Sequence, residues 1–247
     1  MATMSGGVMA AYVGMLKDYV PGMAGHLLTA SVMAAPAALV MSKLMLPEIS
    51  EPETMGQLKL AYKDPSSNIV DAAANGTMTG LQLALNVGAM LIAFIALLAL
   101  FNGVVGSCTA WLGQNLFGLQ TAGFNLQDML GWAFSPVAWL MGVEWKDCAV
   151  LGQLMGEKFI LNEFVAYSHF ADILKNTPAL LSERSTIIAV YALCGFANVS
   201  SVGILIGGLG GLAPGRKHDV ARLGIRCLIA GSLCGFLNGA IAGILAG

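Results

Sequence analysis

Charge is what this chain has least of. Lys and Arg number 12 and Asp and Glu 14 among 247 residues, 11% in all, where a soluble domain carries about a quarter. So few charges leave no ordinary water-facing surface, which excludes a soluble globular domain. The formal net charge of -2 provides no basic face for nucleic acid. Cysteine is sparse too. Cys108, Cys148, Cys194, Cys227 and Cys234 form no C-x-x-C pair and lie near no histidine cluster, so they read as small apolar packing residues, not as metal or disulfide sites. The sequence also lacks G-x-S-x-G, H-E-x-x-H and a P-loop. No nucleophile–base pair suggests an enzyme, and no bound cofactor is indicated.

What remains is apolar: 57% of residues are hydrophobic and the mean hydropathy is +0.75. This composition predicts an all-α integral membrane protein. Residues 22–45 hold no charge before Lys43 and are long enough to span, with Pro36 tolerated inside. Residues 46–80 gather Pro, Glu, Lys and Asp and read as a polar connector. A second span is expected at 81–105. Trp132, Trp139 and Trp145 crowd the next segment, so 125–144 reads as a pair of interfacial helices around Pro136.

Residues 145–175 form two apolar halves broken at Asn162-Glu163. Together they hold too few residues for two crossings at ~20 each. A single helix would put Glu163 near mid-membrane, and a re-entrant hairpin would put it at the tip, buried in protein or lining a wet cavity. Residues 185–212 are uncharged and rich in Gly, Asn and Ser, the composition of a transmembrane helix interrupted at depth or very closely packed. A basic loop, 213–226, carries Arg216, Lys217, Arg222 and Arg226 and belongs in the cytoplasm. Residues 227–247 form a last span.

Three groups of side chains carry chemistry. Glu163 is a carboxylate inside apolar chain, which costs several kcal/mol at membrane depth unless paired or wet. It marks either a functional site or a hydrated boundary. Asn198 and Ser201, at i and i+3, fall on one face of a helix. They offer an amide and a hydroxyl to a polyol such as a sugar, or to a neighbouring helix. Thr3 and Ser5 beside Gly6-Gly7 could ligate Na⁺ from broken backbone, although helix packing explains them as simply. His169, six residues from Glu163, does not share its helical face.

At these residues the chain resembles the concentrative nucleoside transporter family. The matching stretches are "NIVDAAANGTMTGLQLALNVGAMLIAFIALLAL" (68–100), "LGWAFSPVAWLMGV" (130–143), "LNEFVAY" (161–167) and "ERSTIIAVYALCGFANVSSVGILIGGLGGLAP" (183–214). The resemblance covers nearly the whole chain and implies a multi-span helical bundle with re-entrant hairpins and interrupted helices. It further implies a symporter that imports nucleosides by alternating access. The coupling ion would be Na⁺ in preference to H⁺, and the setting a homotrimer in the lipid bilayer of a bacterial inner membrane. Residue by residue, it implies that Glu163, Asn198 and Ser201 hold the ribose. Phe196 would be the site's aromatic and Val8 would face the base. Thr3 and the Met4 backbone would help hold the cation, and residues 1–16 would be the second half of an interrupted transmembrane helix. The family's first hairpin, with Gly-Gln-Thr-Glu at its tip, has no counterpart here, so the resemblance extends to the C-terminal portion. The alternative is a non-transporting membrane subunit or assembly module that keeps the fold without a complete site.

Overall fold

The computed structural model describes residues 1–49, 51, 66–117, 125–212 and 214–247, and every regular element among them is helical. Residues 1–5 are not helical, and α1 runs from Gly6 to Leu16. Then follow α2 (Met23–Met45), α3 (Ile69–Phe117), α4 (Leu126–Leu140), α5 (Trp145–Ile160), α6 (Glu163–Asn176), α7 (Glu183–Leu193), α8 (Val199–Leu212) and α9 (Lys217–Leu245). Stretches within α2, α3 and α9 are long and apolar enough to cross a membrane.

Helix ends account for several departures from expectation. The last third of the polar segment 46–80 is helix, because α3 begins at Ile69. Asn68 Oδ1 accepts the Asp71 amide, and the Asp71 carboxylate takes the Ser67 amide and hydroxyl. These bonds satisfy amides that a helix start leaves open, and the Ser67 amide above all holds the Asp71 carboxyl below its usual range. Without proline to stop it, α3 continues for 49 residues, so the span expected at 81–105 is only its middle. At 1.5 Å per residue it is about 73 Å long, over twice the thickness of a bilayer core. Residues 125–144 give one helix, not two: Pro136 sits within α4, which Asn125 and Asp128 start with a reciprocal capping box. The basic residues expected in a loop at 213–226 mostly lie on helix. Lys217 opens α9, and Arg222 and Arg226 ride its early turns.

Small residues set the packing. On α9, Gly231, Gly235, Gly239 and Gly243 recur every fourth residue and so line one face. A Cβ at Gly239 would sit 3.4 Å from the Ala192 Cβ, and one at Gly243 would sit 2.7 Å from Ile188 Cδ1. This bare stripe brings α9 against α7, as small residues do between membrane helices. At Gly152, a Cβ would meet the Gly131 carbonyl oxygen at 2.5 Å, so α4 and α5 touch backbone to backbone. The fully buried Tyr12, Leu27, Leu151, Tyr167, Phe170 and Ile188 fill the core between α1, α2, α5, α6 and α7.

Candidate functional site

Two interruptions of helix meet. α5 ends at Ile160 and α6 starts at Glu163, leaving Leu161 and Asn162 as the tip of a helical hairpin. Asn162 is the N-cap of α6, its Oδ1 accepting the Val165 amide at 3.0 Å. The cap explains the Asn-Glu pair in the sequence: Asn162 starts the helix and Glu163 occupies its first turn, where the helix dipole favours an anion. The second interruption separates α7 from α8 over residues 194–198. Gly195 turns there at φ +111°, and a Cβ on it would lie 2.8 Å from the Ala2 carbonyl oxygen. Glycine is therefore required twice over, for the left-handed turn and for the approach of residues 1–2. Gly231 of α9 backs both segments: a Cβ there would sit 2.9 Å from the Met1 Cβ and 3.1 Å from the Ala197 Cβ.

Glu163 stands at this junction with 2% exposure. Its Oε1 accepts from the Tyr12 hydroxyl at 3.1 Å, and its Oε2 accepts from Asn198 Nδ2 at 2.9 Å. Asn198 does not share a helical face with Ser201, as their spacing suggested. It precedes α8, and its Oδ1 accepts the Ser201 amide at 2.8 Å and the Ser200 hydroxyl at 2.7 Å. That is the geometry of an N-cap. The cap fixes the amide so that its NH₂ aims at Glu163. Ser201 Oγ is buried and makes no hydrogen bond among the described residues. Tyr12 stacks on Tyr167, ring centroids 4.4 Å apart, and the Tyr167 hydroxyl donates to the Val190 carbonyl at 2.6 Å. One network thus joins α1, α6, α7 and the start of α8.

The C-terminal family model of the "Na+ dependent nucleoside transporter" matches residues 26–243. The chain belongs to this family. It is 47% identical over 220 residues to the uncharacterized transporter YutK of Bacillus subtilis, an alignment covering 89% of this chain and 52% of that protein. It is 40% identical to sodium/nucleoside cotransporter 1 of Rattus norvegicus, covering 99% of this chain and 38% of the rat protein. Among solved structures, it superposes on CNTnw in an inward-facing substrate-bound state with a TM-score of 0.82 at 43% identity. That match covers 99% of this chain and 55% of CNTnw. An outward-facing CNTnw variant gives a TM-score of 0.80 at 42% identity, covering 100% of this chain and 55% of the variant. The chain therefore spans about half or less of the length of these relatives. It is a multi-pass membrane protein, as family and apolar helices both require.

Of the side chains singled out in the sequence of this family member, Glu163 and Asn198 touch, and Ser201 is joined to Asn198 through its amide. Phe196 lies in the break itself, packed against the core, and its carbonyl accepts the Asn198 amide at 3.2 Å. Val8 is partly buried on α1, and Met4 is buried in the stretch before it. Thr3 Oγ1 lies 2.8 Å from Ser31 Oγ of α2. Two hydroxyl oxygens beside non-helical backbone make a hard-oxygen set that suits Na⁺. Sequence reasoning missed Tyr12, Tyr167 and Ser31. The signal for Tyr12 was a phenol inside "VMAAYVGML", since a hydroxyl in apolar surroundings needs a partner. His169, which spacing separated from Glu163, instead bonds Glu157 across the hairpin, Nδ1 to Oε2 at 2.9 Å.

Proposed function

We propose that this chain forms the C-terminal part of the transport domain of a Na⁺-coupled nucleoside symporter that imports nucleosides by alternating access. The observation that carries this reading is the Glu163–Asn198 pair, set where the hairpin tip meets the break between α7 and α8. A carboxylate has about four lone-pair sites, and among the described residues the Tyr12 hydroxyl and the Asn198 amide each occupy one of those on Glu163. The others can accept ribose hydroxyls. Ser201 Oγ, buried without a partner among the described residues, offers a further donor and acceptor to the sugar. Phe196 and Val8 would border the base, and Thr3 with the Met4 backbone would hold Na⁺ beside it. The rat relative's description as a sodium/nucleoside cotransporter supports Na⁺ over H⁺. Likeness to CNTnw in both inward- and outward-facing states supports alternating access. The hairpin is taken as re-entrant, and the working assembly as a homotrimer in a bacterial inner membrane.

The test is uridine uptake by the full-length protein in cells lacking other nucleoside transporters. Glu163→Gln keeps the shape and replaces charge-assisted hydrogen bonds by neutral ones, roughly half as strong. Uptake should fall at least about tenfold, which needs only ~1.4 kcal/mol. Deoxyribose analogues should lose less than uridine does, since one bond is already missing. Equal losses for both, at unchanged surface expression, would mean that Glu163 shapes the protein without touching ribose.

A further inference from the structure

Lys158 is a buried ionisable side chain of the hairpin that the proposed site leaves unused. It lies in the last turn of α5 and is 3% exposed. Its Nζ donates to the Ala192 carbonyl at 2.9 Å and reaches the Cys194 carbonyl at 3.5 Å. Both carbonyls belong to the end of α7, where a helix leaves its last C=O groups without amide partners and carries the negative end of its dipole. Gly235 of α9 closes the other side. A Cβ there would lie 3.1 Å from the Ala192 oxygen and 3.4 Å from Lys158 Nζ. The side-chain nitrogen is thus enclosed by α5, α7 and α9.

Carbonyls at the end of a half-helix and in unwound backbone are the groups that coordinate coupling cations in transporters with broken helices. Here a compact monovalent ammonium holds them instead, on a stem long enough to reach from the neighbouring arm. We infer that Lys158 is a tethered cation filling a monovalent-cation site at the end of α7, so that the protein binds one free ion fewer than its fold has room for. The inference rests on the transport reading for its consequence, a fixed ion-to-nucleoside ratio. Its first readout needs no nucleoside.

The experiment uses the purified full-length protein with Lys158 replaced by Gln, which keeps a donor but loses the charge, or by Met, which keeps the length. Thermal stability is measured against NaCl, with choline chloride holding ionic strength constant. Both variants should gain a Na⁺-specific stabilisation beyond that of the wild type, since an ion that binds only the folded state raises its stability by mass action. The Hill coefficient of Na⁺ for uridine binding should rise by about one. If either variant is unstable in choline, the inference requires Na⁺ to restore a monodisperse peak on gel filtration. Unchanged Na⁺ steepness with no added Na⁺-specific shift overturns it, as does a loss of fold in both variants that Na⁺ does not repair. Failure of the wild type to bind uridine would instead overturn the transport reading and leave the Na⁺ stability arm to judge Lys158 alone.

Discussion

Tyr12 gives Glu163 a fixed aim. The carboxylate is held from both sides, by the phenol on Oε1 and by the Asn198 amide on Oε2, and the phenol is itself clamped by its stack on Tyr167. Removing the hydroxyl deletes one hydrogen bond to a charged group, worth about 1.5–3 kcal/mol in mutational series. Tyr12→Phe keeps the ring and the stack. We expect uridine affinity in the full-length protein to weaken by roughly tenfold, about 1.4 kcal/mol, with the fold intact; calorimetric titration reads the first and gel filtration the second. Unchanged affinity would show that Asn198 alone orients the carboxylate. Glu163 was legible in the sequence because a charge in apolar chain must be explained. Its partner Asn198 was legible as a residue type but not as a geometry. Spacing of i and i+3 fits both a shared helical face and a cap with the residue it caps, and only the position of the helix start separates them. Tyr12 was hidden because tyrosine in an apolar run is an ordinary core residue until its hydroxyl partner is known.

The helices were legible where apolar length decided them and illegible where end chemistry did. Met23–Met45 and the last span follow from hydropathy. The start of α3 follows from Ser67, Asn68 and Asp71, polar residues that read as a loop by composition but act as a cap. The pairing of α4 with α5 was also invisible, because it depends on what glycines lack. A methyl at position 152 would fall 2.5 Å from the Gly131 oxygen, 2.9 Å from the Ser135 nitrogen and 3.2 Å from the Phe134 carbonyl carbon, all of them backbone atoms. No side-chain rotation relieves such contacts, so the two helices must move apart. Gly152→Ala should therefore destabilise the protein by roughly 1–3 kcal/mol, the usual range for overpacking, despite the better helix propensity of alanine. The midpoint of thermal unfolding in detergent should drop. By contrast, a Cβ at Gly14 of α1 meets nothing within 4 Å, and Gly14→Ala in the same assay should leave the midpoint unchanged or raise it. Equal behaviour of the two variants would refute the backbone contact between α4 and α5.

At the scale of the whole molecule, the contacts divide the helix ends into two groups. Ser42 and Lys43 at the end of α2 share a surface cavity with Leu223 and Arg226 near the start of α9. Asp18 and Pro21, between α1 and α2, share another with Pro178 and Leu181, between α6 and α7, and with Glu183 at the start of α7. The start of α5 joins the second group, since Asp147 Oδ2 accepts the Ser182 amide at 3.1 Å. The end of α9 joins it too, because a Cβ at Gly243 would lie 3.4 Å from the Met141 oxygen. The hairpin α5–α6 and the half-helix α7 therefore start at one end of the bundle and meet inside it, and α8 leaves toward the other end. Lys43, Arg216, Lys217, Arg222 and Arg226 lie at the first end, whereas Lys17, Lys146, Lys175 and Arg184 lie at the opposite one. By the positive-inside rule, we expect the first side to face the cytoplasm. Single cysteines at His218 and Leu180, with the native cysteines replaced, test this assignment in intact cells. Leu180 lies in the exposed connector before α7 and His218 in the exposed first turn of α9. An impermeant maleimide should label position 180 directly and position 218 only after permeabilisation. Labelling in the reverse order would invert the orientation, and labelling of both from outside would break the two-sided arrangement on which the meeting of hairpin and half-helix depends.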